Sequence, residues 1–355
     1  MKTISVMKRY LLVLVLFIQS GLSADLKQMS PVPIQVLLNA SSDPSLVNSV
    51  DFHPNALLFC VTFTHNNRIV IYQLDESDRA NVFQVLQGTL AKLSCPQHAL
   101  FSKDGKSLVV ANWCNQTFNV YHTDLNGFYQ EAPTAVIPFP MPTDSFRPHG
   151  MAFSPDGNYL AVAYGASKQY PRAVALYQVD DLATAQVHFR LLSLLEGNEI
   201  EAGIPKGIAF SPDGSCLLVT LSETNSVILY PLDLSNEKII STPRQILSGI
   251  ASQLSRPEDI KFTADENCFA ISNSDKDTIT FYRYDRDNNY ILNPVPSHII
   301  ENPEAGLCFP HGLAFSFDGK YLSATQFGPV IFDQDSNLSS WGNERRDSVV
   351  IYKLK

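Results

Sequence analysis

The sequence holds none of the short signatures that carry much hydrolytic and nucleotide chemistry. There is no Gly-x-Ser-x-Gly nucleophile elbow, no His-Glu-x-x-His, no Walker loop and no dinucleotide fingerprint. Covalent serine catalysis, zincin chemistry and nucleotide chemistry are thereby disfavoured. Charge is also scarce, at 17% of residues, and it runs acidic, with 35 Asp and Glu against 26 Lys and Arg. Such a chain repels a polyanion, which excludes nucleic acid as a partner. The six cysteines show no Cys-x-x-Cys and no metal-ligand spacing. What is plentiful is apolar material, 45% of the chain, which supports a large core and excludes disorder as the main state.

The first 23 residues read as a secretory signal: basic Lys2, Lys8 and Arg9, an apolar run from Leu11 to Ile18, and a small-residue exit at Gly21-Leu22-Ser23-Ala24. The run falls well short of the roughly 20 residues a spanning helix needs, and no later segment is apolar for long enough. The expectation is a protein secreted or delivered to the periplasm, monomeric, with no membrane span once the signal is cleaved. Its cysteines would then meet an oxidising compartment.

Compared with itself, the chain repeats one pattern six times: Pro-x-Gly-x-Ala-Phe-Ser-x-Asp-Gly, an apolar run, a polar turn, and a run ending in Tyr and Asp. The phenylalanine anchors are Phe52, Phe101, Phe153, Phe210, Phe262 and Phe315. Their spacing near 50 signals a propeller or solenoid. Each unit reads as four short strands, A to D, with Ser-Pro-Asp-Gly turning A into B. The last unit ends at strand C, Val349 to Leu354. The missing strand is Gln35-Val36-Leu37, which precedes Phe52 at the offsets by which Gln84-Val85-Leu86 precedes Phe101. These observations predict an all-β, six-bladed β-propeller of four-stranded antiparallel blades, occupying residues 24–355 as one domain. The N-terminal strand completes the last blade and removes a sheet edge.

In such a meander the D–A and B–C connections share one face. The fourth residue before each anchor, namely Asn48, Gln97, His149, Lys206, Glu258 or His311, is then expected to ring the channel mouth there, with Arg147 and Arg256 just outside. A concave site holding an acid, a lysine and two histidines is a candidate binding or catalytic centre. Two B–C loops are lengthened on the same face, Ser167 to Ala173 slightly and Phe327 to Asp347 greatly. The second carries Trp341 as an aromatic anchor for a partner. It also has Asp333, Asp335, Asn337 and Glu344 at the first, third, fifth and twelfth positions of a calcium loop, although Leu338 stands where that loop needs glycine. Apart from that possible calcium, no cofactor is expected. Cys95 and Cys114 fall on one face of the second blade and are expected to pair; Cys60, Cys216 and Cys268 read as packed thiols in B strands. Asn39, Asn115 and Asn337 head glycosylation sequons.

Pro148-His149-Gly150-x-Ala-Phe-Ser-Pro-Asp-Gly157, followed by Tyr159-Leu-Ala-Val-Ala163 and Val174-Ala-Leu-Tyr177, resembles the YVTN and lactonase-like propellers, relatives of WD repeats. The resemblance covers nearly all of the mature chain. It implies a propeller fold and a group that includes phosphogluconolactonase-type enzymes, muconate-lactonising enzymes and proteins of no known activity. In that group the Pro-His-Gly histidine faces the funnel. His149 and His311 match it, whereas Asn48, Gln97, Lys206 and Glu258 do not. The lactonases are usually seven-bladed, while six repeats stand here.

Three functions follow. The first is an exported binding or scaffold module, taking a protein, peptide or glycan through its loop-rich face. The second is a lactonase-like hydrolase or isomerase, in which a histidine activates water, Glu258 orients it, and Lys206 or an arginine stabilises the oxyanion. The third is a calcium-dependent gluconolactonase-type enzyme drawing ligands from Glu258, Asn112 and Asn273.

Overall fold

Local hydrogen bonding explains why the repeated Ser-x-Asp-Gly turns where it does. The hydroxyls of Ser102, Ser154, Ser211, Thr263 and Ser316 each donate to the aspartate two residues on, at 2.5–2.7 Å. Each aspartate Oδ1 then accepts a main-chain N–H two residues further along. The next position takes a left-handed φ, of 69° to 80°, in Gly105, Gly157, Gly214 and Gly319, which is where glycine has no steric penalty. In the fifth repeat Glu266 occupies this position with φ 54°.

The computed structural model describes residues 32–38, 45–165, 169–301, 305–328 and 347–354. Residues 1–23, read from the sequence as a secretory signal, Asn39, Trp341 and the calcium-loop candidates Asp333, Asp335, Asn337 and Glu344 lie outside the described residues, as does most of the long B–C loop. No helix among the described residues is long and apolar enough to cross a membrane.

Six antiparallel sheets follow one another, each in the order A-B-C-D. The A strands are Val47–Phe52, Pro96–Phe101, Pro148–Phe153, Pro205–Phe210, Pro257–Phe262 and Pro310–Phe315. They contact each other in a closed cycle and so form the inner wall. Blades 4 and 5 each carry one additional two-residue strand, Lys238–Ile239 and Ile291–Leu292. In the sixth blade the strand Gln35–Leu38 pairs with Ser348–Lys353, in the register Gln35 with Ile351 through Leu38 with Ser348. Further contacts join last blade to first. Gln35 Oε1 accepts the Ala80 N–H at 2.8 Å, and Asp78 binds the hydroxyl of Tyr321 and the ammonium of Lys353.

The core lies between blades, as one apolar cluster at each of the six junctions. One main-chain bond recurs in every blade. The residue after strand B donates to the carbonyl of the residue before strand A, from Thr64 to Leu46 in the first blade through Phe327 to Phe309 in the last. In the second blade Cys95 and Cys114 form a disulfide beside this bond, with Cα atoms 5.4 Å apart. Cys60, Cys216 and Cys268 are buried free thiols.

The inner ring is tight. A Cβ on Gly207 would stand 2.6 Å from the Asp259 Cα, and one on Gly150 only 2.2 Å from the Lys206 carbonyl oxygen. Gly207→Ala is therefore expected to lower stability by about 1–3 kcal/mol through overpacking; a denaturant midpoint equal to that of the parent would remove this account of the ring. Deleting residues 25–38 leaves strand C of the sixth blade as an open edge. Calorimetry and light scattering are expected to show a lower melting temperature and aggregation, and a parent-like melt would refute closure by this strand.

Candidate functional site

Strand A pairs with strand B on one side only, so its other edge presents unpaired main-chain groups to the channel. Every A strand also has a register shift close to its start, a bulge that re-aims side chains and frees N–H groups. Side chains satisfy these groups. Hydroxyls on strand B accept the N–H three residues before the anchor: Thr62 from Ser49, Thr220 from Gly207, Ser272 from Asp259 and Thr325 from Gly312. Ser272 and Thr325 also donate to the carbonyls of His311 and Asn48 in the next blade.

Where the ring carries histidine, the imidazole does this work. His311 Nδ1 lies 3.0 Å from the Asn48 carbonyl oxygen, and His98 Nδ1 lies 3.2 Å from that of His149. Donation from Nδ1–H to a carbonyl selects the tautomer whose Nε2 is a bare acceptor.

The candidate residues gather as their spacing predicts. Asn48, Gln97, His149, Glu258 and His311 line one small cavity, joined by His98, Gly150, Asp259 and Gly312. Its volume is about 10 Å³, the room of a single water. Asn48 Nδ2 donates to Gln97 Oε1 at 3.2 Å. Glu258, only 2% exposed, sits at the centre. Its Oε2 is approached by His311 Nε2 at 3.4 Å, Lys206 Nζ at 3.4 Å and His149 Nε2 at 3.7 Å. None of these contacts has hydrogen-bond geometry, and Oε2 is a buried acceptor without a donor.

Around this group stands a rim. Arg256 Nε is 3.4 Å from Glu258 Oε1, while its guanidinium covers the Phe309 ring. Arg147 packs against Trp113 and Tyr170, its guanidinium carbon 5.2 and 5.1 Å from ring centres that themselves meet edge-to-face at 5.6 Å.

Burial opposes ionisation of Glu258, but the Lys206 ammonium, His311 and the Arg256 guanidinium outweigh it and hold the carboxyl below the ordinary glutamate range. Burial, helped by Lys206, pushes His149 well below the usual histidine value. His311 is also lowered, by burial first, with Glu258 opposing. The site at neutral pH is thus a carboxylate beside two neutral imidazoles.

Two expectations from the sequence need correction. Asn112 and Asn273 are no channel ligands: their Oδ1 atoms accept the N–H groups of Ser94 and Ser255, and their amides donate to Thr117 and Thr280. They hold the D–A loops. Conversely, His98, Asp259, Asp51 and Lys261 were not singled out, although charges interrupting the apolar A strands at Val50-Asp51-Phe52 and Asp259-Ile260-Lys261 were a readable signal. Asp259 Oδ2 accepts from Leu313 N–H and Asp51 Oδ2 from Phe101 N–H, both at 2.9 Å across a blade junction.

Residues 47–252 match the family described as lactonase, 7-bladed beta-propeller. A sequence comparison with curated proteins gives no match. Among solved structures, the periplasmic gluconolactonase of Pseudomonas aeruginosa superposes with a TM-score of 0.55 at 18% identity, over 82% of each chain. A putative 6-phosphogluconolactonase from Bacteroides fragilis gives 0.54 at 16% identity, over 82% of this chain and 81% of that one. A luciferin-regenerating enzyme gives 0.61 at 14% identity, over 90% and 96%. At these identities the likeness is one of fold. The blade count departs from the family's description, since six blades stand among the described residues.

Burial raises the Asp51 carboxyl from near 3.8 to about 7, against the opposing charge of Lys261. A carboxyl that is raised on folding binds its proton more tightly in the native state, so stability falls as pH rises from about 4 to about 7. Asp51→Asn keeps an acceptor for Phe101 and is expected to flatten that slope, by on the order of 2 kcal/mol given the residue's partial exposure. Parallel pH–stability curves for variant and parent would rule this out.

Proposed function

Since this chain belongs to the lactonase family of β-propellers, we propose that it is an exported lactone hydrolase whose reaction centre is the Glu258 cluster at the channel mouth. The observation that carries the reading is the buried Oε2 of Glu258, which lacks a hydrogen bond while two imidazole nitrogens and an ammonium converge on it. A module that worked only through surface loops would have no use for such a group.

The chemistry follows from the charges. A water in the cavity is oriented by the Glu258 carboxylate and gives a proton to Nε2 of His311 as its oxygen attacks the lactone carbonyl. The Lys206 ammonium meets the negative charge that develops on the carbonyl oxygen. Collapse of the tetrahedral intermediate breaks the ring C–O bond, and the imidazolium returns its proton to the leaving alkoxide. The product is an open hydroxy acid. Arg147 and Arg256 at the rim favour a substrate that carries an acidic group, in keeping with the phosphorylated lactone named for one of the structural neighbours.

A binding or scaffold role is the second reading, and one observation favours it. The cavity of about 10 Å³ admits a water but not a lactone ring, so the substrate carbonyl must reach the cluster from the loop face.

Assays with five- and six-membered sugar-acid lactones separate the two readings. Hydrolysis is expected, with kcat/KM falling by about 10²–10⁴ in His311→Gln and in Glu258→Gln. Because His311 titrates below the ordinary 6.5, the neutral base persists on acidification and the acid limb of the rate profile is expected below that value. No turnover on any such lactone, or turnover that survives both substitutions, would return the site to the binding reading.

A further inference from the structure

Four features of the mouth go beyond what water activation requires. First, the ligand-capable atoms of His149, Glu258 and His311 all lie within 4.8 Å of one another. Glu258 Oε2 is 3.4 Å from His311 Nε2 and 3.7 Å from His149 Nε2. Ligand atoms about 2.0–2.1 Å from a tetrahedral ion stand roughly 3.4 Å apart, so the carboxylate already stands near coordination spacing from each imidazole, while the two imidazoles, within 4.8 Å of one another, must draw closer around the ion. Second, His311 is anchored through its other nitrogen to the main chain of the following blade, with Nδ1 3.0 Å from the Asn48 carbonyl oxygen. This is the outer-shell bond that orients a metal-ligating histidine. Third, Glu258 Oε2 is buried and closes no hydrogen bond, and the cation that meets it, the Lys206 ammonium at 3.4 Å, is one that an entering metal ion would replace. Fourth, the three side chains come from three different blades, all on strand A, and are held in place by the ring itself rather than by loops.

We propose that the channel mouth binds one divalent transition-metal ion of the zinc class through His149 Nε2, His311 Nε2 and Glu258 Oε2, with a further position open to water. Two imidazoles and one carboxylate suit Zn²⁺, Co²⁺ or Ni²⁺ and disfavour Ca²⁺ and Mg²⁺, which take oxygen ligands. Lys206 is the ion's competitor, since its ammonium contacts the same carboxylate oxygen. Its long side chain can withdraw toward the loop face when the ion enters. The ion's catalytic use rests on the hydrolase reading, because the bound ion would then take over from His311 the activation of water. Its binding does not rest on that reading.

The test uses chelator-treated, full-length protein titrated with Zn²⁺ by calorimetry and with Co²⁺ by visible absorption. One ion per chain is expected, unaffected by excess Ca²⁺. Affinity is expected to fall by at least about two orders of magnitude in His149→Gln and in His311→Gln, and to rise in Lys206→Met. X-ray absorption on the unaltered Co²⁺ protein is expected to show two imidazoles per ion, a readout that stands even if a histidine variant fails to fold. Absence of stoichiometric uptake, uptake indifferent to both histidine substitutions, or a thiolate charge-transfer band placing the ion on a cysteine would overturn the proposal. Metal uptake without lactone hydrolysis removes the hydrolase reading and leaves the site; hydrolysis by a protein that takes up no metal does the reverse.

Discussion

Six open sheet edges facing one narrow channel are the constraint on which this structure turns. Each A strand presents N–H and C=O groups on the side where no strand can pair, and the channel is too narrow for bulk water to solvate them all. The fold answers with side chains from the preceding blade. Ser49 and Asp259 accept from Ala99 and Leu313, Asp51 accepts from Phe101, and His98 and His311 bond the carbonyls of His149 and Asn48. The polar residues at the centre of the molecule are thus part of how the ring is joined. Their chemistry is a consequence of that duty: once Nδ1 of a histidine is committed to a carbonyl across the junction, Nε2 is left turned to the channel.

The same constraint bears on blade number. Gly150, Gly207 and Gly312 let neighbouring A strands approach so closely that a Cβ would overlap the adjacent main chain. Larger side chains occur at this level only where they bond across the junction, as Ser49, His98 and Asp259 do. A ring of this bore brings the fourth residue before each anchor within reach of its neighbours, which is why Glu258 can touch side chains from both His149 and His311 although two other blades lie between those histidines on either side. A wider ring built from the same repeats would separate these groups. The departure from the seven blades of the family's description is therefore tied to the site itself.

Much of the architecture was legible because it is local and repeated. The anchors Phe52 to Phe315 set the blade count, and the register of Gln35-Val36-Leu37 against Gln84-Val85-Leu86 located the closing strand. The ring from Asn48 to His311 followed from counting back four residues. What escaped is not local. Asn112 and Asn273 looked like ligands because an amide at a strand end is chemically suited to coordination, yet the bond from Oδ1 to a D–A loop 18 residues earlier uses it up. Asp51, His98, Asp259 and Lys261 were visible as polar interruptions, but the main-chain partners of the first three lie in other blades, about 50 residues away for Asp51 and Phe101. A repeat period tells which residues are equivalent; it does not tell which of them meet.

The balance of charge at Glu258 explains how one buried carboxylate can serve stability and chemistry together. Ionised, it needs a cation, and Lys206 and Arg256 supply that need at distances of 3.4 Å without closing a hydrogen bond to Oε2. Such loose pairing stabilises the folded chain less than a bidentate contact would. It also leaves the oxygen available. A tighter partner, such as an arginine in place of Lys206, would neutralise the carboxylate and fill the space where a water, a substrate carbonyl or an ion must enter. Lysine holds the charge as a mobile point at the end of a flexible stem, so the site can be neutral when empty and still accept something positive or polarisable. The arrangement sacrifices packing at the centre of the ring for a place where chemistry can happen.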